Sequence, residues 1–205
     1  MILKEIKALK VKNVEYLAQG KRSIIYTGIF RNKKIAIKTE KPGISAKDRI
    51  LNEAKFLKII NKYKIGPRLI ISRKKFMIYE FVKGKFILDS FKDKNKKDII
   101  KLLNNSLEQC FILDKLKINK LEMHHPVKHI IIDKKPVLID FERSYLTNNP
   151  KNVTQFCQFI MSHPLIDILN KKGIKIDRNN FINIVKEYKR DKTEENLKKI
   201  KKEIN

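Results

Sequence analysis

Four groups of residues have types and spacings that could do chemistry. In the first, Leu17-Ala18-Gln19-Gly20-Lys21-Arg22-Ser23-Ile24-Ile25 sets small residues at 18, 20 and 23 between two strand-like runs. With no bulky side chains there, backbone N–H groups can approach phosphate oxygens closely. In the second, Ile35-Ala36-Ile37-Lys38 alternates, so that Ala36 and Lys38 share one face of a strand. In the third, Glu53 falls within or beside the helical apolar stripe Ile50, Ala54, Leu57 and Ile60. A carboxylate in that position is costly without a partner, and Lys38 is the nearest cation the preceding strands can offer. In the fourth, the apolar run Pro136-Val137-Leu138-Ile139 ends in Asp140, followed by Phe141-Glu142. An acid at the end of a buried strand suits a metal ligand or a catalytic carboxylate. Taken singly, each group also has an ordinary reading: a hairpin turn, a solvated lysine, a border glutamate and a turn or cap aspartate.

The elements that must position these groups follow from the apolar pattern. Strand-like runs cover 14–17, 24–30 and 34–39, and Arg31-Asn32-Lys33 is a polar turn joining the last two. A helix is expected over 45–63, capped by Ser45 with Asp48 completing the box and stopped at Gly66-Pro67. Further runs at 68–71 and 76–81 lead to Val82-Lys83-Gly84. Beyond 85 the period lengthens. Ile99, Leu102, Leu103, Leu107, Cys110 and Leu113 mark a helix over 95–116. An irregular stretch, Glu122 to His129, precedes an expected hairpin of 130–132 with 137–139, and the remainder from Pro150 reads as helical. The expected class is α+β: a strand-rich N-lobe over 1–79, a hinge over 80–84 and a helical C-lobe over 85–205, with a cleft between the lobes.

In this order, the four groups resemble the protein-kinase superfamily over roughly residues 14 to 160. They look most like small, predicted archaeal Ser/Thr kinase-like proteins, which are reduced relatives of the full domain. The resemblance implies a bilobal protein-kinase-like fold with a reduced helical C-lobe. It also implies binding of ATP with Mg²⁺, or Mn²⁺, and phosphoryl transfer to a protein or small-molecule hydroxyl. By the same resemblance, Ala18, Gly20 and Ser23 take the three glycine positions of the phosphate-covering loop, and Ile25 packs on adenine. Ala36 lines the adenine pocket, and Lys38 holds the α- and β-phosphates while pairing with Glu53. Tyr79 is the gatekeeper, Glu80 and Val82 offer hinge backbone groups to the adenine edge, and Asp140 holds metal. Ala18, Ser23 and Glu142 stand where the family has glycine; Glu142 adds a carboxylate beside the metal position or stiffens the segment.

The catalytic loop departs further. Where the family has H-R-D-x-x-x-x-N, this chain has Glu122-Met123-His124-His125-Pro126-Val127-Lys128-His129. His129 takes the place of the metal-binding asparagine, His124 that of the catalytic aspartate and Glu122 that of the histidine. No aspartate occurs between Asp114 and Asp133. The base is then His124, histidine being a residue that can take up a proton at neutral pH, or Glu122 after a short register shift. A metal-ligating His129 would favour Mn²⁺ or leave a single ion; the alternative is a histidine that caps the hairpin. Two further readings stay open for this stretch: a nucleotide-binding pseudokinase scaffold without transfer, and a transition-metal site of His124, His125 and His129.

Composition bounds the surroundings. Lys+Arg number 48 against 22 Asp+Glu, a formal net charge of +26. Such a surface attracts polyanions, which keeps a basic RNA-associated protein in view and predicts weak non-specific nucleic-acid binding. Lysines are spread along the whole chain with acids between many of them, so a general compositional bias explains the charge as well. The segment 191–205 reads as an amphipathic helix with Leu197, Ile200 and Ile204 on one face, and no aromatic-rich RNA-binding motif interrupts it. Cys110 and Cys157 lie in apolar helical patterns and read as core thiols. The start of the chain lacks a secretory h-region, and no apolar run nears the ~20 residues of a membrane span. A cytoplasmic protein without membrane attachment is expected.

Overall fold

The computed structural model describes residues 2–43 and 48–204. They form two compact units: the chain up to Lys83 together with Leu138–Ser144, and Gly84–Val137 together with the chain from Tyr145. The first is a strand-rich sheet with helices, and the second is mainly helical, as the α+β reading requires. The segment Leu138–Ser144, placed with the helical part on sequence grounds, groups with the strand-rich unit instead.

In the first unit, α1 (Ile2–Ala8) leads into a five-stranded antiparallel sheet. Its strands are β1 (Lys12–Gln19), β2 (Ser23–Phe30), β3 (Lys33–Glu40), β4 (Leu69–Ser72) and β5 (Phe76–Glu80), in the order β1-β2-β3-β5-β4. The β2–β3 connection is a two-residue loop, because Phe30 pairs with Lys33. Arg31 and Asn32 both take positive φ, 48° and 61°, the tight primed turn whose twist matches the strands it joins. One face of the sheet carries Ile35, Ile37, Phe76 and Ile78, which pack with Ile6 of α1 and with Val11. Helix α1 has no counterpart among the sequence expectations. Seven residues are too few to hold a helix by propensity, and burying Ile6 on the sheet supplies what propensity does not.

Helix α2 (Arg49–Ile60) follows β3 and runs into a 3-10 turn at Asn61–Tyr63. The proposed cap Ser45 lies outside the described residues. The expected contribution of Asp48 is not found: Asp48 is left-handed (φ 65°) and makes no side-chain cap bond. The expected stripe is buried as read, with Ile50, Glu53, Ala54, Leu57 and Ile60 all inside. Asn61 organises the exit. Its amide donates to the carbonyls of Ile65 (2.9 Å) and Pro67 (3.1 Å), and its oxygen accepts the Leu69 N–H at 2.8 Å.

The second unit opens with β6 (Lys85–Phe86), α3 (Ile87–Lys92) and α4 (Lys96–Lys115), the last capped by Asn95, whose side chain accepts the Asp98 N–H. Then come β7 (Ile118–Asn119), two 3-10 turns at Leu121–His124 and Pro126–Lys128, and the hairpin of β8 (Ile130–Ile132) with β9 (Pro136–Leu138). The hairpin's second strand starts one residue earlier than expected. β10 (Tyr145–Leu146) returns to pair with β7, and α5 (Asn152–Ile160), α6 (His163–Lys171), α7 (Arg178–Arg190) and α8 (Glu194–Ile204) complete the chain. Leu197, Ile200 and Ile204 of α8 are buried. Gly84 has φ 140°, and a Cβ there would lie 2.1 Å from the Ile132 carbonyl oxygen, so only glycine lets this backbone pass β8. Among the described residues no helix is long and apolar enough to cross a membrane.

A buried polar knot joins three helices of this unit. The Asp114 carboxylate, near the end of α4, accepts from the Asn152 backbone (2.9 Å) and amide (2.7 Å), the Val153 N–H (3.3 Å) and the Tyr188 hydroxyl (3.0 Å). It thereby satisfies the first N–H groups of α5 while Tyr188 anchors α7. Burial pushes Asp114 above the usual carboxylate range, and these donors pull it part of the way back. Tyr188→Phe removes one donor, so the folded-state value rises further. The deficit, about 1–2 kcal/mol at pH 7, should narrow as pH falls and the raised folded-state carboxyl takes up its proton in both proteins. Urea unfolding across that range reads it; a deficit that does not change with pH would show that Asp114 carries no charge in the fold.

Candidate functional site

The sheet register gathers several of the sequence-selected residues on the face opposite α1. Ala18 pairs with Ile25, Ile25 with Lys38, Thr27 with Ala36, and Ala36 with Tyr79. Directly paired residues share a face, as do Ala36 and Lys38 two apart. Ala18, Ile25, Ala36, Lys38 and Tyr79 therefore line one side of the sheet, and α2 packs against β3 and β5.

Lys38 is the centre of this side. It is 4% exposed, and its Nζ lies 2.6 Å from Glu53 Oε2, 2.6 Å from Asp140 Oδ1 and 3.4 Å from Glu142 Oε2. Burial alone would drive the ammonium toward the neutral form; Glu53, Asp140 and Glu142 outweigh it and hold Lys38 well above its ordinary value. Glu53 is 2% exposed. Burial raises it, while Lys38 and the Phe141 N–H, which donates to Oε1 at 3.1 Å, oppose the rise. Tyr79 is pushed up by its surroundings, first by burial and then by Glu53.

The acidic segment is fastened from α2. Asn52 donates its amide to the carbonyls of Glu142 and Ser144, both at 3.0 Å, and Arg49 reaches the Glu142 carbonyl at 3.4 Å. Asp140 adopts φ 65°, a strained conformation for a residue with a side chain. The Glu142 carboxylate also meets Arg22 at 3.7 Å, in the turn between β1 and β2. Arg22 and Asn52 were not legible as site residues, since a single polar side chain in a turn or on a helix carries no periodic signal.

Ligand atoms of Glu53, Asp140 and Glu142 all lie within 4.8 Å of one another. Three carboxylates against Lys38, with Arg22 at the margin, leave local negative charge. Oxygen donors suit a hard divalent cation such as Mg²⁺ or Mn²⁺. Asp140, whose side chain is 35% exposed, is the most open of the three, Glu142 is 12% exposed, and Glu53 is enclosed at 3%.

The remaining candidates fall as follows. Ala18 and Gly20 are exposed and Ser23 is half-buried. Gly20 donates its N–H to the Ser23 carbonyl at 2.8 Å, and a Cβ at Gly20 would meet only Ser23, at 3.7 Å, so the turn itself does not demand glycine. The Glu80 N–H donates to the Arg68 carbonyl at 2.9 Å. Its carboxylate is drawn below the ordinary range by the hydrogen bond from Arg68. Val82 is half-buried, and among the described residues nothing accepts its N–H. In the second unit, Glu122 is half-buried with its carboxylate 3.6 Å from Nζ of Lys120, a fully buried lysine. His124 and His125 are exposed. His129 is half-buried and ends the 3-10 turn, donating its N–H to the Pro126 carbonyl at 2.9 Å. Lys120 escaped the sequence reading because a lone lysine after a two-residue strand looks like a surface residue. Its N–H is accepted by Asn152 Oδ1, and the Lys151 N–H by Asn119 Oδ1, both at 2.8 Å.

No protein-family profile and no curated protein matches the chain. Solved structures do. The autoinhibited serine kinase domain of the giant muscle protein titin is similar with a TM-score of 0.57 and 18% identity, over 68% of this chain and 47% of that one. The chain thus spans about half the length of that kinase. In all, 1204 solved chains match, so the likeness is to a widespread fold and singles out no one activity.

The Lys38–Glu53 pair generates a stability prediction. Lys38→Met strands a buried carboxylate and should lower stability by about 2–4 kcal/mol at pH 7, whereas Lys38→Met with Glu53→Leu should recover most of it. Chemical denaturation of the two variants reads this; a double variant no more stable than the single one would rule out the stranded charge as the cause.

Proposed function

On the premise of a protein-kinase-like fold, we propose that this chain is an ATP-dependent phosphotransferase acting on a hydroxyl group, a Ser/Thr kinase-like enzyme with an atypical catalytic loop. The observation that carries the reading is Lys38 held at 2.6 Å by both Glu53 and Asp140. Lys38 keeps its proton and binds phosphate oxygens of ATP, and Glu53 fixes the direction of the ammonium. Ile25 and Ala36 offer an apolar surface to adenine, Ala18, Gly20 and Ser23 form the turn over the phosphates, Tyr79 stands beside the base, and the Val82 N–H is available to its edge. Asp140 and Glu142 hold Mg²⁺ or Mn²⁺, which when bound neutralises phosphate charge.

Glu122 suits the role of base better than His124. Its carboxylate is half-buried and oriented by Lys120 Nζ at 3.6 Å, while His124 is an exposed side chain. Transfer of this kind depends mainly on positioning and charge, so a glutamate can serve where an aspartate is usual. A specific observation favours a second reading, a nucleotide-binding pseudokinase: the sequence holds no aspartate between Asp114 and Asp133.

Calorimetry with ATP and Mg²⁺ or Mn²⁺, together with turnover, separates the two. The wild type should bind and turn over. Lys38→Ala and Asp140→Asn should lose at least about a hundredfold in turnover, and Asp140→Asn should also lose metal-dependent binding. Glu122→Gln should keep binding and lose about 10²–10³ in rate, with His124→Asn near wild type. Binding without turnover in the wild type would establish the pseudokinase, and binding of neither nucleotide nor metal would remove both readings.

A further inference from the structure

Within the second unit, α5 and α7 border a cavity of about 660 Å³ that the phosphotransfer reading does not use. One stripe of α7 faces it: Arg178, Ile182, Val185 and Lys189 are spaced by four, three and four residues, which keeps them on one side of a helix. Met161 and Phe181 continue the apolar floor. Ile182 is 38% exposed and presents its side chain in this groove.

The rim is of one sign. Every charged residue lining the cavity is a cation: Lys151, Arg178, Lys186 and Lys189. None of the four pairs with a carboxylate among the described residues. That sets the groove apart from the lysines of α8, where Lys198 meets Glu194, Lys199 meets Glu187 and Lys201 meets Glu108. Glu187 of α7 is therefore turned to α8 and away from the groove.

We propose that this groove docks an acidic amphipathic helix of a partner protein. The helix would lay Leu, Ile or Met side chains on Ile182, Val185 and Met161 and set Asp and Glu against the four cations. An apolar floor with charge-complementary edges is how grooves take up helical segments. The floor presents no exposed aromatic ring for base stacking, because Phe181 is only 1% exposed. A second copy of the chain is disfavoured by its own net charge of +26.

The test presents the full-length chain with a display library of helices about 16 residues long, half the library carrying acidic and half basic residues beside a randomised apolar face. Acidic clones should be enriched. Synthesised peptides of those clones should bind at least about tenfold more weakly to Ile182→Glu, and separately to Lys189→Glu, by fluorescence anisotropy. Lys189 is exposed, so that variant keeps the test valid if Ile182→Glu unfolds, and nucleotide binding in both variants should equal wild type. The proposal is overturned if no acidic clone is enriched, if the selected peptides bind both variants as well as wild type, or if an oligouridine RNA displaces them with a steep salt dependence.

Discussion

The first unit is organised around one unfavourable demand: an ammonium and a carboxylate are both kept from water, and each is tolerable only because of the other. Lys38 and Glu53 come from a strand and from a helix of that unit, so the pair fixes how α2 sits on the sheet. The hydrogen bond from the Phe141 N–H then fixes the acidic segment to the same glutamate. Alternation along β3 makes this possible. Ile35 and Ile37 sink into the core shared with α1, which leaves Ala36 and Lys38 on the other side.

Ion pairs of this burial seldom add stability compared with apolar packing. Asp140 is the exposed end of the cluster, and the ammonium is shared between Asp140 and Glu53. Under the phosphotransfer proposal, an incoming phosphate would compete with Asp140 for Lys38.

Much of this was legible in the chain, for physical reasons. The strand run, the helical stripe and the apolar hairpin have strong periods, and Glu53 stood out because it broke a stripe that otherwise had to be buried. The fold class followed from the order of these elements. What escaped depended on contacts far apart in sequence. Helix α1 exists because Ile6 meets the sheet, and β7 and β10 are two-residue strands that only their pairing defines. Asn52, one of the residues that tie Leu138–Ser144 to the sheet unit, is silent in any pattern. Lys120 is buried where polarity alone would put it in solvent. The expected cap at Asp48 failed because its backbone turned left-handed, which no sequence pattern there announces.

Asn52 has a consequence for motion. One amide holds two carbonyls of the acidic segment, Arg49 adds a third bond, and the next residue, Glu53, takes the Phe141 N–H. Helix and segment are thereby riveted along a full helical turn. A rotation that withdrew Glu53 from Lys38 would drag Asp140 with it, so the two acids leave or arrive together. The chain then has one latch where two independently moving parts would need two.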